Sequence, residues 1–158
     1  MGLAGRFKSP DSFGGIVMRL VKFVLVLGIA FATQLALAEN VEVYNQPNVV
    51  LNLTGSESRN VQVNNATTVK IRFHGSSDLT IQGNATSVEI SGYGSADVDA
   101  RDLQAGSVDI SAGGSSTIRA SASSTFDIDA TGSATIYLYG TGTIASQNVT
   151  GSARVIRR

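Results

Sequence analysis

The sequence predicts an all-β protein, a right-handed parallel β-solenoid (β-helix) of about six coils with a repeat of about 19 residues. Two observations carry the prediction. The dipeptide Gly-Ser recurs at Gly55, Gly75, Gly94, Gly114, Gly132 and Gly151, at intervals of 20, 19, 20, 18 and 19 residues. Aligned on that glycine, the apolar residues fall into columns.

The columns define two short strands per repeat. Six residues before the glycine stand Val49, Val69, Val88, Val108 and Phe126, and four before it Leu51, Ile71, Ile90, Ile110 and Ile128. Four after it stand Leu79, Val98, Ile118, Ile136 and Val155, and six after it Ile81, Ala100, Ala120 and Leu138. Alternation at period two marks strands with one buried face, and glycine marks the turn between them. The first repeat reads as carrying about two extra residues, Glu57 to Asn60, which shift its second strand to Val61 and Val63. The last is irregular before its glycine, with Val149 as the clear apolar position. A unit this small cannot bury its apolar face alone, so the repeats must stack. In-register stacking about 4.8 Å apart gives a rod roughly 25 to 30 Å long. Parallel crossovers are right-handed in about 98% of cases, which sets the expected hand. A β-sandwich also has short strands at turn-marked intervals, but its strands need no common period. The positions two before the glycine shrink from Leu53 and Phe73 to Gly92, Ala112 and Ala130, so the coil is expected to narrow.

Residues 1–38 differ in kind from the repeats. Arg19 and Lys22 precede an apolar stretch from Phe23 to Ala32, and Ala36-Leu37-Ala38 supplies a small-residue end. That is the pattern of a secretory signal peptide, with cleavage between Ala38 and Glu39 and a mature domain from 39 to 158. The apolar run is shorter than the roughly 20 residues a membrane-spanning helix needs. Residues 1–17 fit no part of the signal, so the natural start is read as Met18. The reading places the protein in the periplasm or outside a bacterial cell, with no membrane span after cleavage.

Composition narrows the chemistry. The chain of 158 residues has 12 basic and 12 acidic residues, no Cys and one His. Removing residues 1–38 takes away Arg6, Lys8, Arg19, Lys22 and Asp11, leaving 8 basic and 11 acidic residues and a net charge of −3. Nucleic acid is therefore not an expected partner. Thiol chemistry and Cys-based metal sites are excluded, and His74 is the one imidazole base available to a catalytic triad.

The segment Ile90-Ser91-Gly92-Tyr93-Gly94-Ser95-Ala96-Asp97-Val98, its echoes, and the ending from Tyr139-Gly140 to Val155 resemble the putative auto-transporter adhesin, head GIN domain family. The resemblance runs from about Val41 to Arg158. It implies an exported bacterial β-solenoid with an adhesive role and supplies no catalytic residues to carry over; no cofactor is expected. The family often shows Gly-Ser-Gly-Asp at the turn; here Ser77, Ala96, Ser116, Ala134 or Ala153 stands in place of the second glycine. Only Arg157 and Arg158 follow the last apolar residue, so a soluble or partner-held module is expected rather than a self-displaying auto-transporter.

Other candidate features read as structural. His74 and Tyr93 occupy the same position in successive coils, as two exposed turn residues. The glycine turns lead into strands and lack the helix N-terminus a phosphate loop needs. Asn52, Asn65, Asn84 and Asn148 sit in Asn-x-Thr triplets, expected to carry no glycan in a bacterial chain. On one outward column Asp99 is expected to pair with Arg119, which rests against Tyr137. On another, Glu89, Asp109 and Asp127 form an acid row with Asp129 nearby. Those four carboxylates are the one candidate cation site, with solvated, splayed side chains as the simpler expectation.

The functional expectation is an exported, non-enzymatic binding or adhesion module presenting flat polar faces to an envelope or surface ligand, glycan or protein. An envelope-polysaccharide enzyme built on a β-helix is the first alternative. A structural partner that self-associates through its solenoid ends is the second.

Overall fold

The computed structural model describes residues 41–158. The expected signal segment 1–38, its Ala38/Glu39 junction and the Met18 start lie outside the described residues. Among the described residues nine strands form a single parallel sheet: β1 (Val41–Tyr44), β2 (Asn48–Gly55), β3 (Ser58–Gly75), β4 (Asp78–Gly94), β5 (Asp97–Gly114), β6 (Thr117–Ala130), β7 (Thr135–Tyr139), β8 (Thr143–Val149) and β9 (Arg154–Arg157). The order β1-β3-β4-β5-β6-β7-β9, with β2 also on β3 and β8 also on β6, is that of a coiled ribbon. The chain is a parallel β-solenoid of about six coils, each named here by its turn glycine.

The long strands β3 to β6 each bend midway and so serve two sides of the coil. The first half of β3 pairs with β1 and the second half with β2. The bend appears as register shifts between Val63 and Ala66 and between Thr80 and Gln82. Asn65 (φ 54°) and Gly83 (φ 125°) take left-handed backbone there. This second corner has no shared dipeptide, which is why the repeat read from glycine alone does not reveal it.

Identical positions stack on identical positions. Val69, Val88, Val108 and Phe126 are successive partners, as are Ile71, Ile90, Ile110 and Ile128. All eight are buried, at 0–3% exposure. Ala66, Ala85, Ala105 and Ala122 line the inside of the bent corner. The column that shrinks along the chain keeps its contact: a Cβ on Gly92 would lie 2.7 Å from the Phe73 ring, so that ring occupies the space the missing side chain leaves.

The first coil corrects one expectation. Arg59 pairs with Leu79, Val61 with Ile81 and Val63 with Gly83, so there is no insertion and Arg59 itself occupies the Leu79 column. A charged residue is tolerated at that inward position because the coil is terminal. On β1, Glu42 and Tyr44 lie over Val61 and Val63. Arg59 donates from Nε to Glu42 Oε1 at 3.0 Å and from Nη2 to Glu42 Oε2 at 2.5 Å, and also to the Tyr44 hydroxyl at 3.1 Å. The Tyr44 hydroxyl in turn donates to Glu42 at 2.9 Å. The hydrogen bond from Arg59 holds the Glu42 carboxyl below the usual range, and burial pushes the Tyr44 phenol up. At the other end Arg157 follows Leu138 in an inward column and donates to the carbonyls of Gly140 and Gly142 at 3.1 and 2.7 Å. Both ladders thus end in arginines whose heads are hydrogen-bonded, the polar capping that stacked repeats need.

The turn glycines have two reasons to be glycine. All six have positive φ, from 74° at Gly55 to 142° at Gly94. From the second onward a Cβ would also meet the coil below, lying 2.1 Å from the Gly75 carbonyl oxygen in the case of Gly94. That same oxygen accepts the Ser95 N–H at 2.8 Å, so the backbones cannot move apart. Gly55 has open space around its would-be Cβ. Gly55→Ala is therefore expected to cost only the conformational penalty, about 1–2 kcal/mol. Gly94→Ala is expected to cost clearly more, and thermal unfolding of the two variants reads the difference. Equal melting temperatures would show that stacking does not constrain the turn.

Candidate functional site

The solenoid presents outward residues on two sides of the turn glycine. The side made by segments entering the glycine carries the expected acid row. Lys70, Glu89, Asp109 and Asp127 are consecutive partners in one column. Their order decides their state. Lys70 Nζ donates to Glu89 Oε2 at 2.5 Å and holds that carboxyl below its usual range. Asp109 has no such neighbour, and partial burial, then Asp127 and Glu89, push its carboxyl up. Asp129 stands in the adjacent column beside Ser111 and accepts from Asn148 Nδ2 at 3.3 Å. Among the described residues no three acidic or imidazole side chains gather into a metal-binding group. The row therefore has its first acid, Glu89, paired with Lys70 and its middle acid, Asp109, flanked by acids on both coils.

His74 and Tyr93 are also in register on this side. Tyr93 is 62% exposed, and its ring passes 2.2 Å from where a Cβ on Gly113 would sit. The ring therefore leans onto the next coil.

The side made by segments leaving the glycine has a different pattern. Arg119 pairs with Asp97, while Asp99 is taken by Arg101 through Nε at 2.9 Å and Nη2 at 2.6 Å. The expected Asp99–Arg119 pair is thus corrected, although the two residues are register partners. Arg101 lies two residues along the same strand from Asp99 and reaches it with both nitrogens, leaving Arg119 to reach diagonally. The bidentate contact holds the Asp99 carboxyl below its usual range. Arg119 does rest against Tyr137, 5.8 Å from the ring centroid. Arg158 lies 5.4 Å from the same ring, and Arg101 6.0 Å from the Tyr139 ring. The sequence reading missed Arg101, Tyr139 and Arg158; the two-residue spacing of Asp99 and Arg101 was the available signal.

Neither side holds a deep cleft among the described residues. A shallow depression is lined by Asp78, Thr80, Asp97, Asp99, Arg101 and Arg119, and a second, along the bent corner, by polar and small residues such as Gln104 and Ser121. No helix among the described residues is long and apolar enough to cross a membrane.

Comparison with protein families matches residues 24–142 to the family described as putative auto-transporter adhesin, head GIN domain. The chain belongs to that family. The match ends just before β8, while the ladder itself continues: β8 pairs with β6, and β9 with β7. The last coil of this head GIN domain is therefore defined by geometry. Comparisons with curated proteins and with solved structures returned no match.

The charge order of the acid row has a measurable consequence. A carboxyl whose folded value is raised opposes folding at neutral pH, and the penalty fades as pH falls below the ordinary aspartate value, where both states are protonated. Glu89 has the opposite sign, contributing stability above the ordinary glutamate value that is lost as pH falls through its folded one. Asp109→Asn should raise the melting temperature at pH 7 by about 1–4 °C, the scale of roughly 0.3–1 kcal/mol for an exposed charge interaction. The gain should vanish near pH 3. Millimolar Ca²⁺ should add no more than NaCl of equal ionic strength; a larger Ca²⁺ effect, abolished in the variant, would identify a cation site instead.

Proposed function

We propose that this chain is an exported, non-catalytic binding module that uses the solenoid as a rigid rod to present flat faces to a cell-envelope or surface ligand. The observation that supports it best is the ladder itself. Backbone pairing in register from β1 to β9 fixes every outward column at strand spacing, so a face several coils long is held without loops. Membership of a family whose description names an adhesin agrees with this reading. Export rests on Arg19, Lys22, the apolar stretch and Ala36-Leu37-Ala38, and places the working protein in the periplasm or outside the cell.

An enzyme acting on envelope polysaccharide is the second reading, favoured only by the fold class, and fold alone carries little weight for function. Against it, the shallow depression nearest to a catalytic constellation is lined by Asp97 and Asp99, each already paired with an arginine. Association through the solenoid ends is disfavoured by the caps built on Arg59 and Arg157.

Two measurements test the proposal. Mass spectrometry of protein recovered from the periplasm or medium should find Glu39 as the first residue; retention of the apolar segment would mean an anchored form. Purified protein should bind isolated envelope polysaccharide or intact cells saturably and leave the polymer length unchanged. New reducing ends or unsaturated sugars in the mixture would move the protein to the enzyme class.

A further inference from the structure

Charge is divided lengthwise on the side of the rod that leaves the turn glycines. Its Gly75 and Gly94 coils carry Asp78, Asp97, Asp99 and Asp102 against one arginine, Arg101, which pairs with Asp99, so these coils keep a net negative charge. From the Gly114 coil onward the charged and aromatic outward residues of this side are Arg119, Tyr137, Tyr139, Arg154 and Arg158, with only uncharged residues such as Thr117, Thr135 and Ile156 between them. The sequence has no Asp or Glu after Asp129. Arg119 is neutralised by Asp97 and Arg157 is occupied by backbone carbonyls. Among the described residues, the guanidinium groups of Arg154 and Arg158 have no carboxylate partner, and both residues are exposed.

The aromatic rings lie inside this basic zone. Tyr137 is flanked along the rod by Arg119 on one coil and Arg158 on the other, with centroid distances of 5.8 and 5.4 Å. Its register partner on the last strand is Ile156, half-buried, so the zone has an apolar centre as well as a cationic rim. Arg119 lies two coils from the β9 arginines and is paired with Asp97, whereas no acid stands beside Arg154 or Arg158, so these two carry the unrelieved charge of the zone. The arginine forks can accept carboxylates bidentately, and tyrosine offers a rigid amphipathic ring at low entropic cost. The surface is flat, so it suits a polymer lying across coils rather than a small molecule enclosed by walls.

From this geometry we infer that the Tyr137 zone, rimmed by Arg119, Arg154 and Arg158, is the docking surface of the module, and that its ligand is a carboxylate-bearing polysaccharide. Its carboxylates meet the arginine forks and its sugar rings lie on Tyr137 and Ile156. The acidic coils next to the zone repel the same polymer and so limit its footprint to the C-terminal half of the rod. The inference rests on the binding-module reading and names the ligand class for it.

The test uses polygalacturonate as the acidic probe and dextran as the neutral one, at low and near-physiological salt. The purified protein should bind polygalacturonate, more weakly as salt rises, and should not bind dextran. Arg154→Ala combined with Arg158→Ala should weaken binding about tenfold or more, and Tyr137→Ser should weaken it at constant net charge. Arg72→Ala, an arginine on the other side of the glycine, should bind as the unaltered protein does. Thermal unfolding and circular dichroism establish that each variant is folded; if Tyr137→Ser does not fold, Tyr137→Phe with Ile156→Ser takes its place. Equal weakening by Arg72→Ala would reduce the effect to net charge and overturn the site. So would sedimentation showing a dimer that Arg158→Ala converts to monomer, because the zone would then be an interface between copies. If intact envelope polysaccharide still binds the double arginine variant at full strength, the module reading stands and this site falls. If the unaltered protein binds no envelope material, the module reading falls first.

Discussion

The rest of this structure depends on the coil-to-coil hydrogen-bonded spacing of a parallel sheet, about 4.8 Å, repeated through every strand from β1 to β9. At that spacing each backbone N–H and C=O along the ladder has a partner only if neighbouring coils remain in register. Register then brings like onto like. Valine lies on valine at Val69, Val88 and Val108, and isoleucine on isoleucine at Ile71, Ile90 and Ile110. The same closeness forbids a side chain where the backbone turns, as the 2.1 Å approach of a would-be Gly94 Cβ to the Gly75 oxygen illustrates. Apolar columns and glycine columns are thus two consequences of one distance.

Stacking like on like is favourable inside and awkward outside. Buried isoleucines gain contact from identical neighbours, whereas Asp109 faces acids on both sides, and partial burial together with those acids raises its carboxyl. The protein answers with cross-coil variation: Lys70 before Glu89, Asn148 after Asp129, Arg119 reaching Asp97. Variation also closes the ends. Interior columns that are aliphatic through the middle coils become Arg59 at the first and Arg157 at the last, each turning its head to polar partners. A solenoid whose end columns stayed aliphatic would offer an apolar stack to the next molecule.

In this head GIN domain the inward columns repeat from coil to coil, while the outward columns vary. The scaffold leaves the identity of those residues almost free, because exposed substitutions scarcely alter the ladder. In this chain that freedom produces acidic coils beside a basic, aromatic zone on one side of the rod. A division of charge along a rigid face orients any charged polymer that reaches it.

The sequence by itself determined the coil. Alternation at period two assigns each residue to the inside or the outside, and six Gly-Ser turns set the repeat, so the columns headed by Val49 and Leu51 were readable without coordinates. The second corner was less legible, because Asn65 and Gly83 solve the same bend with different residues. Arg59 was misplaced for a related reason: a charged side chain breaks the apolar column, and a reading based on hydrophobicity shifts the strand to the next valine. Only the tertiary structure decided the pairing of the outward charges. Register places Asp99 beside Arg119, but Arg101 reaches Asp99 first and Arg119 turns to Asp97. Long side chains reach diagonally across coils and along strands, so their partners follow from their length and their competitors, neither of which a column alignment contains.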